Sequence, residues 1–353
     1  MTSKPLIDPT RFPQFPLVGG PTPIQRLDRL ESQLGSALRG VRLFVKRDDH
    51  MPLGGGGNKL RKLEFLIGRA LADGADTLIT MGGLQSNHAR LTAAAAARAG
   101  LACELMLARP VPRGDADYER NGNVLLDGIF GAKVHDFHGA VDTLALAEER
   151  AKVLRSEGRH AGVIPTGGST PLGSLGYVRC AEEIAAQSQS LGVAFDAVVL
   201  ANGSSGTHAG LAAGFAALGR GASVVRSYAV LYDEGKTLAA TRKLAREALA
   251  LVDGDSDNPA RIADEDIRID GSHRGEGYGI PTGGMMAAVR LMARTEGLLL
   301  DPVYSGKAFA GLLADIQAGR YAAGQNLLFV MTGGAPGLFA YRPAFDAGEG
   351  SAK

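Results

Sequence analysis

The chain has 353 residues, a net charge of +1, 45% hydrophobic and 21% charged residues, and 49 glycines. This balance excludes a disordered or fibrous chain, and the near-neutral charge argues against a nucleic-acid or membrane-surface binder, which would concentrate Lys and Arg. No apolar run is long enough for a membrane span, and the proline-broken N-terminus lacks the features of a secretory signal.

In chain order, apolar runs alternate with helical patterns. Strands are predicted at Val41–Lys46, Thr77–Met81, Leu101–Leu107, Gly162–Pro165, Ala197–Ala201, Ala222–Val230 and Asn326–Met331. Helices are predicted at Lys59–Leu71, Asn87–Ala99, Tyr118–Phe130, Leu172–Ala186, Thr207–Leu218, Lys236–Leu251, Met285–Thr295 and Lys307–Gln317. Wholly apolar strands separated by helices predict an α/β fold of parallel sheets with helices on both faces. The last six residues, 348–353, are predicted to form a frayed tail.

The two cysteines, Cys103 and Cys180, are too few for a disulfide framework. We expect them to be small buried core residues in a protein of the reducing cytoplasm. The dinucleotide fingerprint, the P-loop and the common zinc-binding spacings are all absent. The sequence therefore predicts no metal site, and it disfavours a nucleotide-dependent oxidoreductase.

Glycine clusters fall at the carboxyl ends of predicted strands, where parallel sheets bind ligands. Lys59 follows the glycine-rich residues 54–58 and begins a helix. The helix dipole disfavours a charged lysine at that position, which can lower its pKa and favour a nucleophilic amine. A surface lysine after a flexible loop is the alternative.

Two further strand–glycine–helix junctions are suited to anions. Ser86 and Asn87 follow a Gly-Gly pair, so they either help to hold a carboxylate or only cap the helix. Residues 203–207 (GSSGT) suit a phosphate dianion, with a flexible turn as the alternative. A nucleophilic lysine, a phosphate cup without a nucleotide fingerprint and a carboxylate cup are together what pyridoxal 5′-phosphate (PLP) requires.

Six ordered motifs carry a family resemblance: GGNKLRKLEF, GGLQSNHAR, NGSSGTHAGL, GYGIP, LLLDPVYSGKAFAGL and TGGAPGLFAY. Together they resemble the D-cysteine desulfhydrase / 1-aminocyclopropane-1-carboxylate (ACC) deaminase family of fold-type II PLP enzymes. The resemblance implies two open, twisted, mostly parallel sheets with the active site in the interdomain cleft. It also implies a large domain of residues 1–62 plus 169–353, a small domain of residues 63–168, and a homodimer.

The resemblance also implies roles for individual residues. Lys59 would form the Schiff base with PLP and act as the base at Cα, and Asn87 would contact the phenolic oxygen of the cofactor. Tyr278 and Ser86 would also be catalytic. Tyr278 would either protonate the leaving group or orient Lys59, and a tyrosine that only packs against its neighbours is the alternative. The remaining implied contacts are the phosphate ligands Ser204, Ser205, Gly206 and Thr207, the cofactor-site residues Tyr304, Ser305 and Thr332, and the substrate contacts Ser86, Asn87, His88 and Tyr278.

Two positions bear on the reaction. ACC deaminases have a glutamate and a leucine where this chain has Ser305 and Thr332. The resemblance implies that this glutamate contacts the pyridine nitrogen of PLP and stabilises its protonated form, which a serine hydroxyl cannot do. We therefore expect the nitrogen to stay neutral here. A neutral ring is a weaker electron sink, which favours loss of a β-leaving group over opening of a cyclopropane. We therefore expect α,β-elimination from a small amino acid, D-cysteine giving pyruvate, hydrogen sulfide and ammonia.

Other functions stay open on the sequence alone. An L-cysteate sulfo-lyase, which releases sulfite, is the main alternative. It would need a cation or donor near the substrate Cβ, for which His88, His208 and Arg274 are candidates. ACC deaminase and a PLP-fold binding module without catalysis fit less well, the latter because Lys59 is present with its neighbours.

Overall fold

The computed structural model describes residues 5–8, 10–139, 141–253 and 261–346. The strands are β1 (Ile24–Arg26), β2 (Arg42–Lys46), β3 (Thr77–Gly83), β4 (Ala102–Ala108), β5 (Lys133–Phe137), β6 (Ala161–Ile164), β7 (Ala197–Asn202), β8 (Val225–Ala229), β9 (Arg268–Asp270) and β10 (Asn326–Val330). The helices are α1 (Asp28–Leu34), α2 (Lys59–Ala72), α3 (Asn87–Ala99), α4 (Ala116–Arg120), α5 (Asn123–Ile129), α6 (Thr143–Ser156), α7 (Pro171–Leu191), α8 (Gly206–Ala217), α9 (Glu234–Asp253), α10 (Gly283–Glu296), α11 (Ser305–Gln317), α12 (Gly337–Ala340) and α13 (Arg342–Asp346). The predicted tail at 348–353 lies outside the described residues.

The larger sheet has six strands in the order β1-β2-β10-β7-β8-β9. Only β1 is antiparallel to its neighbour; the other pairs are parallel. Side chains alternate between the two faces of the sheet. Leu43 and Val45 of β2 pack in the core that contains α10 and α11, whereas Phe44 packs in the core that contains α7 and α8. Helices on both faces of a mostly parallel sheet confirm the predicted architecture.

The smaller sheet has four parallel strands in the order β5-β4-β3-β6. Leu78 packs towards α2 and α3, and Ile79 packs towards α6 on the opposite face. All four strands lie between residues 77 and 164. They fall inside the predicted small domain of residues 63–168, whose boundaries stay a prediction. In the described ranges, no helix has both the length and the apolar character needed to cross a bilayer.

The predicted single helix Tyr118–Phe130 is wrong. The chain forms α4 and α5 instead, separated by a corner at Gly122, whose φ is +61°. A Cβ at this position would lie 2.8 Å from the carbonyl oxygen of Pro336 and 2.9 Å from Oε1 of Gln85. Both the left-handed backbone and the close packing therefore require glycine. The corner directs the first residue of α5 towards the start of α3.

A buried ionic network anchors α2 to the larger sheet. The carboxylate of Asp48, just after β2, accepts from the Arg61 guanidinium at 2.9 Å. Arg61 also pairs with Glu183 of α7 at 2.8 Å, and Lys46 pairs with the same glutamate. Asp48, Arg61 and Lys46 are nearly inaccessible to solvent. The helix that begins at Lys59 is therefore held by charges at its inner face.

Candidate active site

A cavity of about 380 Å³ lies where the carboxyl ends of β3 and β7 approach each other. It is lined by most of the residues that the sequence predicted for the site: Lys59, Ser86, Asn87, His88, Ser204, Ser205, Gly206, Thr207, Tyr278, Tyr304 and Thr332. Ser305 is not among the lining residues. Its buried hydroxyl donates to Oδ1 of Asp301 at 2.5 Å.

Lys59 is the first residue of α2, and its Nζ donates to Oδ1 of Asn58 at 3.1 Å. Burial lowers the pKa of Lys59 to about 8; the Asp301 carboxylate opposes this shift and Arg90 reinforces it. The direction agrees with the sequence-based expectation, but the main cause is loss of hydration rather than the helix dipole. An amine with this pKa is uncharged in about one molecule in ten at pH 7, against fewer than about one in a thousand for an ordinary lysine.

The start of α8 forms an anion cup. Ser205 precedes the helix with a φ of +71°, a conformation that is uncommon for residues other than glycine. The first N–H groups of a helix have no partner inside it, and they carry the positive end of its dipole. Ser204 adds a hydroxyl that is 2.8 Å from the Ser169 hydroxyl. A Cβ at Gly206 would lie 2.7 Å from Nζ of Lys62, so glycine keeps this cup open.

Lys62 is a site residue that the sequence analysis missed. It is 1% exposed, lines the cavity, and donates to the carbonyl oxygen of Gly167 at 3.2 Å and to the Ser169 hydroxyl at 3.1 Å. Burial lowers the pKa of Lys62 well below its usual range, and the nearby Lys59 lowers it further. Its position three residues after Lys59, on the same face of α2, is the signal that could have identified it.

At the start of α3 the predicted helix cap is confirmed, and the binding of a carboxylate stays a prediction. The Ser86 hydroxyl accepts from the N–H of Ala89 at 3.1 Å, so it caps the helix. That contact uses an oxygen lone pair and leaves the hydroxyl proton free to donate into the cavity. His88 lies beside it, with Nε2 at 2.9 Å from the Thr80 hydroxyl. Burial, with help from Lys59 and Lys62, lowers the pKa of His88 well below its usual value, so its ring is neutral.

Two tyrosines form the opposite wall. The hydroxyl oxygens of Tyr278 and Tyr304 are 2.8 Å apart. Burial raises the pKa of both, so both are protonated and able to donate. Lys307 supports the loop that carries Tyr278, because its Nζ donates to the carbonyl oxygens of Arg274 at 2.6 Å and Gly277 at 2.9 Å.

Two residues that the sequence analysis named as candidates, His208 and Arg274, do not line the cavity. His208 is buried, with Nδ1 at 2.7 Å from the Ser227 hydroxyl, and burial lowers its pKa to about 3. Arg274 does not line the cavity.

Cys103 and Cys180 are buried free thiols, as predicted, and burial raises the pKa of Cys103 to about 12. Within the ranges described above, no group of three or more metal-ligating side chains comes together.

Comparison with known proteins gives a coherent result. A family model described as "Pyridoxal-phosphate dependent enzyme" matches residues 16–333. The D-cysteine desulfhydrase of Serratia proteamaculans (strain 568) is 44% identical over 338 residues, covering 94% of this chain and 97% of the relative. The D-cysteine desulfhydrase of Klebsiella pneumoniae (strain 342) is 45% identical over 339 residues, covering 95% and 98%.

Solved structures agree with the fold. A crystal structure described as an ACC deaminase homologue has a TM-score of 0.83 at 38% identity, covering 96% of this chain and 97% of the other. The crystal structure of O-ureido-L-serine synthase has a TM-score of 0.62 at 18% identity, covering 94% of both chains. The second likeness concerns the fold alone.

Proposed function

This chain belongs to the family of pyridoxal-phosphate dependent enzymes, and we propose that it converts D-cysteine and water to pyruvate, hydrogen sulfide and ammonium. The observation that carries the proposal is a buried lysine amine and an anion cup in the wall of one cavity. The substrate is the one named for relatives that share 44–45% of their residues with this chain along nearly its whole length. The matched segments cover 97% and 98% of those relatives' own length.

The residues present fit the cofactor. The hydroxyls of Ser204 and Thr207, the helix N-terminus and the Lys62 amino group make a cup whose chemistry suits a phosphate dianion. Burial disfavours the charged form of Lys62, and a bound dianion would favour it. Lys59 supplies the amine for the cofactor aldehyde, and the cavity volume of about 380 Å³ is within the range of small-molecule sites. We assign these residues to PLP on that basis. When bound, PLP supplies an electron sink for a carbanion at Cα.

Lys59 and Ser86 act on the substrate in this proposal. Lys59 would hold the cofactor aldehyde and, as a free amine, take the proton from Cα, and its lowered pKa favours this role. The free hydroxyl proton of Ser86 donates to the substrate carboxylate and fixes its orientation. Binding through the carboxylate and the phosphate, both remote from the reacting bond, provides energy for alignment.

Tyr278 is the proposed acid. The Cβ–S bond breaks with its electron pair remaining on sulfur, and a proton from the Tyr278 hydroxyl converts the thiolate to hydrogen sulfide. Tyr304, 2.8 Å from that hydroxyl, is placed to restore the proton. Water then replaces the amino group of the three-carbon product, so one cysteine and one water yield pyruvate, hydrogen sulfide and ammonium.

The geometry gives less support to L-cysteate as substrate. A sulfonate leaving group calls for a cation near Cβ, but His88 is held neutral, and His208 and Arg274 do not line the cavity. Among the described lining residues the lysines are Lys59 and Lys62, which are assigned to the cofactor aldehyde and the phosphate cup. Among the lining residues in the described part of the chain, these two roles leave no cation free to compensate the charge of sulfite.

A substrate panel tests the proposal. Purified protein supplied with PLP is incubated with D-cysteine, L-cysteine, L-cysteate or ACC, and pyruvate, sulfide, sulfite and 2-oxobutyrate are measured. We expect equal amounts of pyruvate and sulfide from D-cysteine, at a rate well above that from the other three. Sulfite from L-cysteate as the main product, or 2-oxobutyrate from ACC, would replace the proposed reaction with the corresponding alternative.

Lys62→Met is expected to weaken PLP binding by about tenfold to a hundredfold, because a charge-assisted contact to the phosphate is lost from a buried site. The matched control is pyridoxal, which has the same ring and aldehyde but no phosphate. Its affinity, measured by the same absorbance titration, should change little. Equal losses for both ligands would show that Lys62 supports the structure of the cavity rather than the phosphate.

We further propose a homodimer working in the cytoplasm, with domain boundaries at 62/63 and 168/169. The support is the family resemblance and the two free, buried thiols Cys103 and Cys180, which suit a reducing compartment. Light scattering coupled to size exclusion gives the mass in solution. A mass of one chain at micromolar concentration would reject the dimer.

A further inference from the structure

Asn123 is a buried residue directly behind the cavity wall. It is the first residue of α5 and 1% exposed, and it does not line the cavity. Its Nδ2 donates to Oδ1 of Asn87 at 2.9 Å and to the carbonyl oxygen of Gln85 at 3.0 Å. Its backbone N–H donates to Oε1 of Gln85 at 2.9 Å. Asn123, at the α4–α5 corner, therefore holds the loop that carries Asn87 by hydrogen bonds from both its side chain and its backbone N–H.

Arg90 fixes which way the Asn123 carboxamide points. The fully buried Arg90 guanidinium donates to Oδ1 of Asn123 at 3.0 Å and to the carbonyl oxygen of Gly56 at 2.9 Å. A guanidinium only donates, so the oxygen of Asn123 must face it. A flipped Asn123 would place donor against donor at Arg90 and acceptor against acceptor at Gln85.

The direction in which the Asn123 carboxamide points determines the direction of the Asn87 carboxamide. Oδ1 of Asn87 accepts from Nδ2 of Asn123, with Arg90 NH1 at 3.5 Å from the same oxygen. The Nδ2 donor of Asn87 therefore points the other way and lies against Gly334, where a Cβ would be 2.6 Å from it. Among the described residues, no protein acceptor is hydrogen-bonded to this Nδ2. It is an unused donor on a residue that lines the cavity.

We propose that Asn123 is a positioning residue. Because Arg90 can only donate, it fixes the direction of the Asn123 carboxamide, and Asn123 in turn fixes that of Asn87. Asn87 therefore presents Nδ2, and not its oxygen, to the phenolic oxygen of PLP. The inference rests on the proposed function for the presence of the cofactor. A donor at this point stabilises negative charge on the phenolic oxygen. The effect is larger when the neighbouring imine nitrogen carries no proton, because such a proton would itself stabilise that charge. Loss of the donor therefore raises the pH at which the lysine-bound cofactor gives up that proton.

The test is the pH titration of the visible absorption of the PLP-loaded protein. Asn87→Ala is expected to raise the midpoint by about 1 pH unit. Asn123→Ala, which does not touch the cofactor, should raise it in the same direction by a smaller amount. The double variant should match Asn87→Ala alone, because Asn123 acts only through Asn87. Asn123→Asp is a second variant of nearly equal size that keeps an oxygen towards Arg90 but removes the donor.

Asn121→Ala is the matched control. It alters the same corner, where Oδ1 of Asn121 accepts from the N–H of Gly122, without touching Asn87. This control should leave the midpoint unchanged. The inference is overturned if Asn87→Ala shifts the midpoint while both Asn123 variants do not, or if the effects of Asn87→Ala and Asn123→Ala simply add. It is also overturned if Asn87→Ala itself has no effect. Failure of the wild-type protein to bind PLP at all would instead reject the proposed function.

Discussion

Lys59→Ala is expected to abolish turnover of D-cysteine and the visible absorption of the bound cofactor together. In the proposed function, Lys59 supplies both the amine that holds the aldehyde and the base that takes the Cα proton. Loss of a positioned base alone costs on the order of 10²–10⁴-fold in rate, and loss of the covalent attachment adds to this. We therefore expect kcat/KM to fall by at least about 10³-fold. Steady-state pyruvate formation and an absorption spectrum measure the two effects separately.

The control for this variant is Lys152→Ala. Lys152 is exposed and pairs with Glu149 at 3.2 Å on the outer surface of α6, so its removal changes the charge without touching the cavity. Activity and spectrum should both be those of the wild type. A Lys59→Ala protein that keeps its colour and turns over at a normal rate would reject the assignment of this residue.

Because the pKa of Lys59 is lowered to about 8, we also expect PLP attachment to be fast at pH 8 and slower at pH 6, where the free amine is almost entirely protonated.

Asp48→Ala is expected to produce the largest loss of stability. Asp48 is fully buried and bonded to the Arg61 guanidinium at 2.9 and 3.1 Å and to the Tyr177 hydroxyl at 2.5 Å. Removing one partner of a buried ion pair leaves the other charge poorly compensated, which costs about 3–5 kcal/mol. Urea unfolding followed by circular dichroism measures the difference.

Asp73→Ala is its counterpart at the surface. Asp73 pairs with Arg69 of the same helix at 3.0 Å, but both side chains are about 60% exposed. Exposed ion pairs contribute little, so the unfolding midpoint should not change measurably. Similar losses for the two variants would mean that the buried network does not stabilise α2 more than a surface pair does.

The contribution of Asp48 should also depend on pH. Burial by itself would raise the pKa of Asp48, but Arg61 and Lys46 outweigh it, so the pKa in the folded protein is lowered. A group with a lowered folded pKa contributes stability above its unfolded pKa, near 3.9, and loses it as the pH falls through the folded value. The difference between wild type and Asp48→Ala should therefore be full at pH 7 and shrink below about pH 4.

The amino-acid sequence by itself determined the elements whose signals are local. The predicted helix Asn87–Ala99 agrees residue for residue with α3, because Ser86 caps its start and Gly100 ends it in the left-handed conformation. The central strand β10 was visible as an unbroken apolar run, since both of its faces are covered. Lys59, residues 203–207 and Tyr278 were predicted to lie at a site because glycines mark the junctions where the chain turns towards a ligand, and the structure brings them to one cavity.

Only the tertiary structure decided which other side chains join this site. Lys62 meets Ser169 across 107 positions of the chain, and Asn123 meets Asn87 across 36. Ser305 lies next to a lining residue, yet its hydroxyl is bonded to Asp301. Capping and apolar periodicity act over a few residues, whereas the direction of a buried polar side chain depends on whichever donor or acceptor folding brings beside it. The break at Gly122 has the same origin, since the carbonyl oxygen that excludes a Cβ there belongs to Pro336.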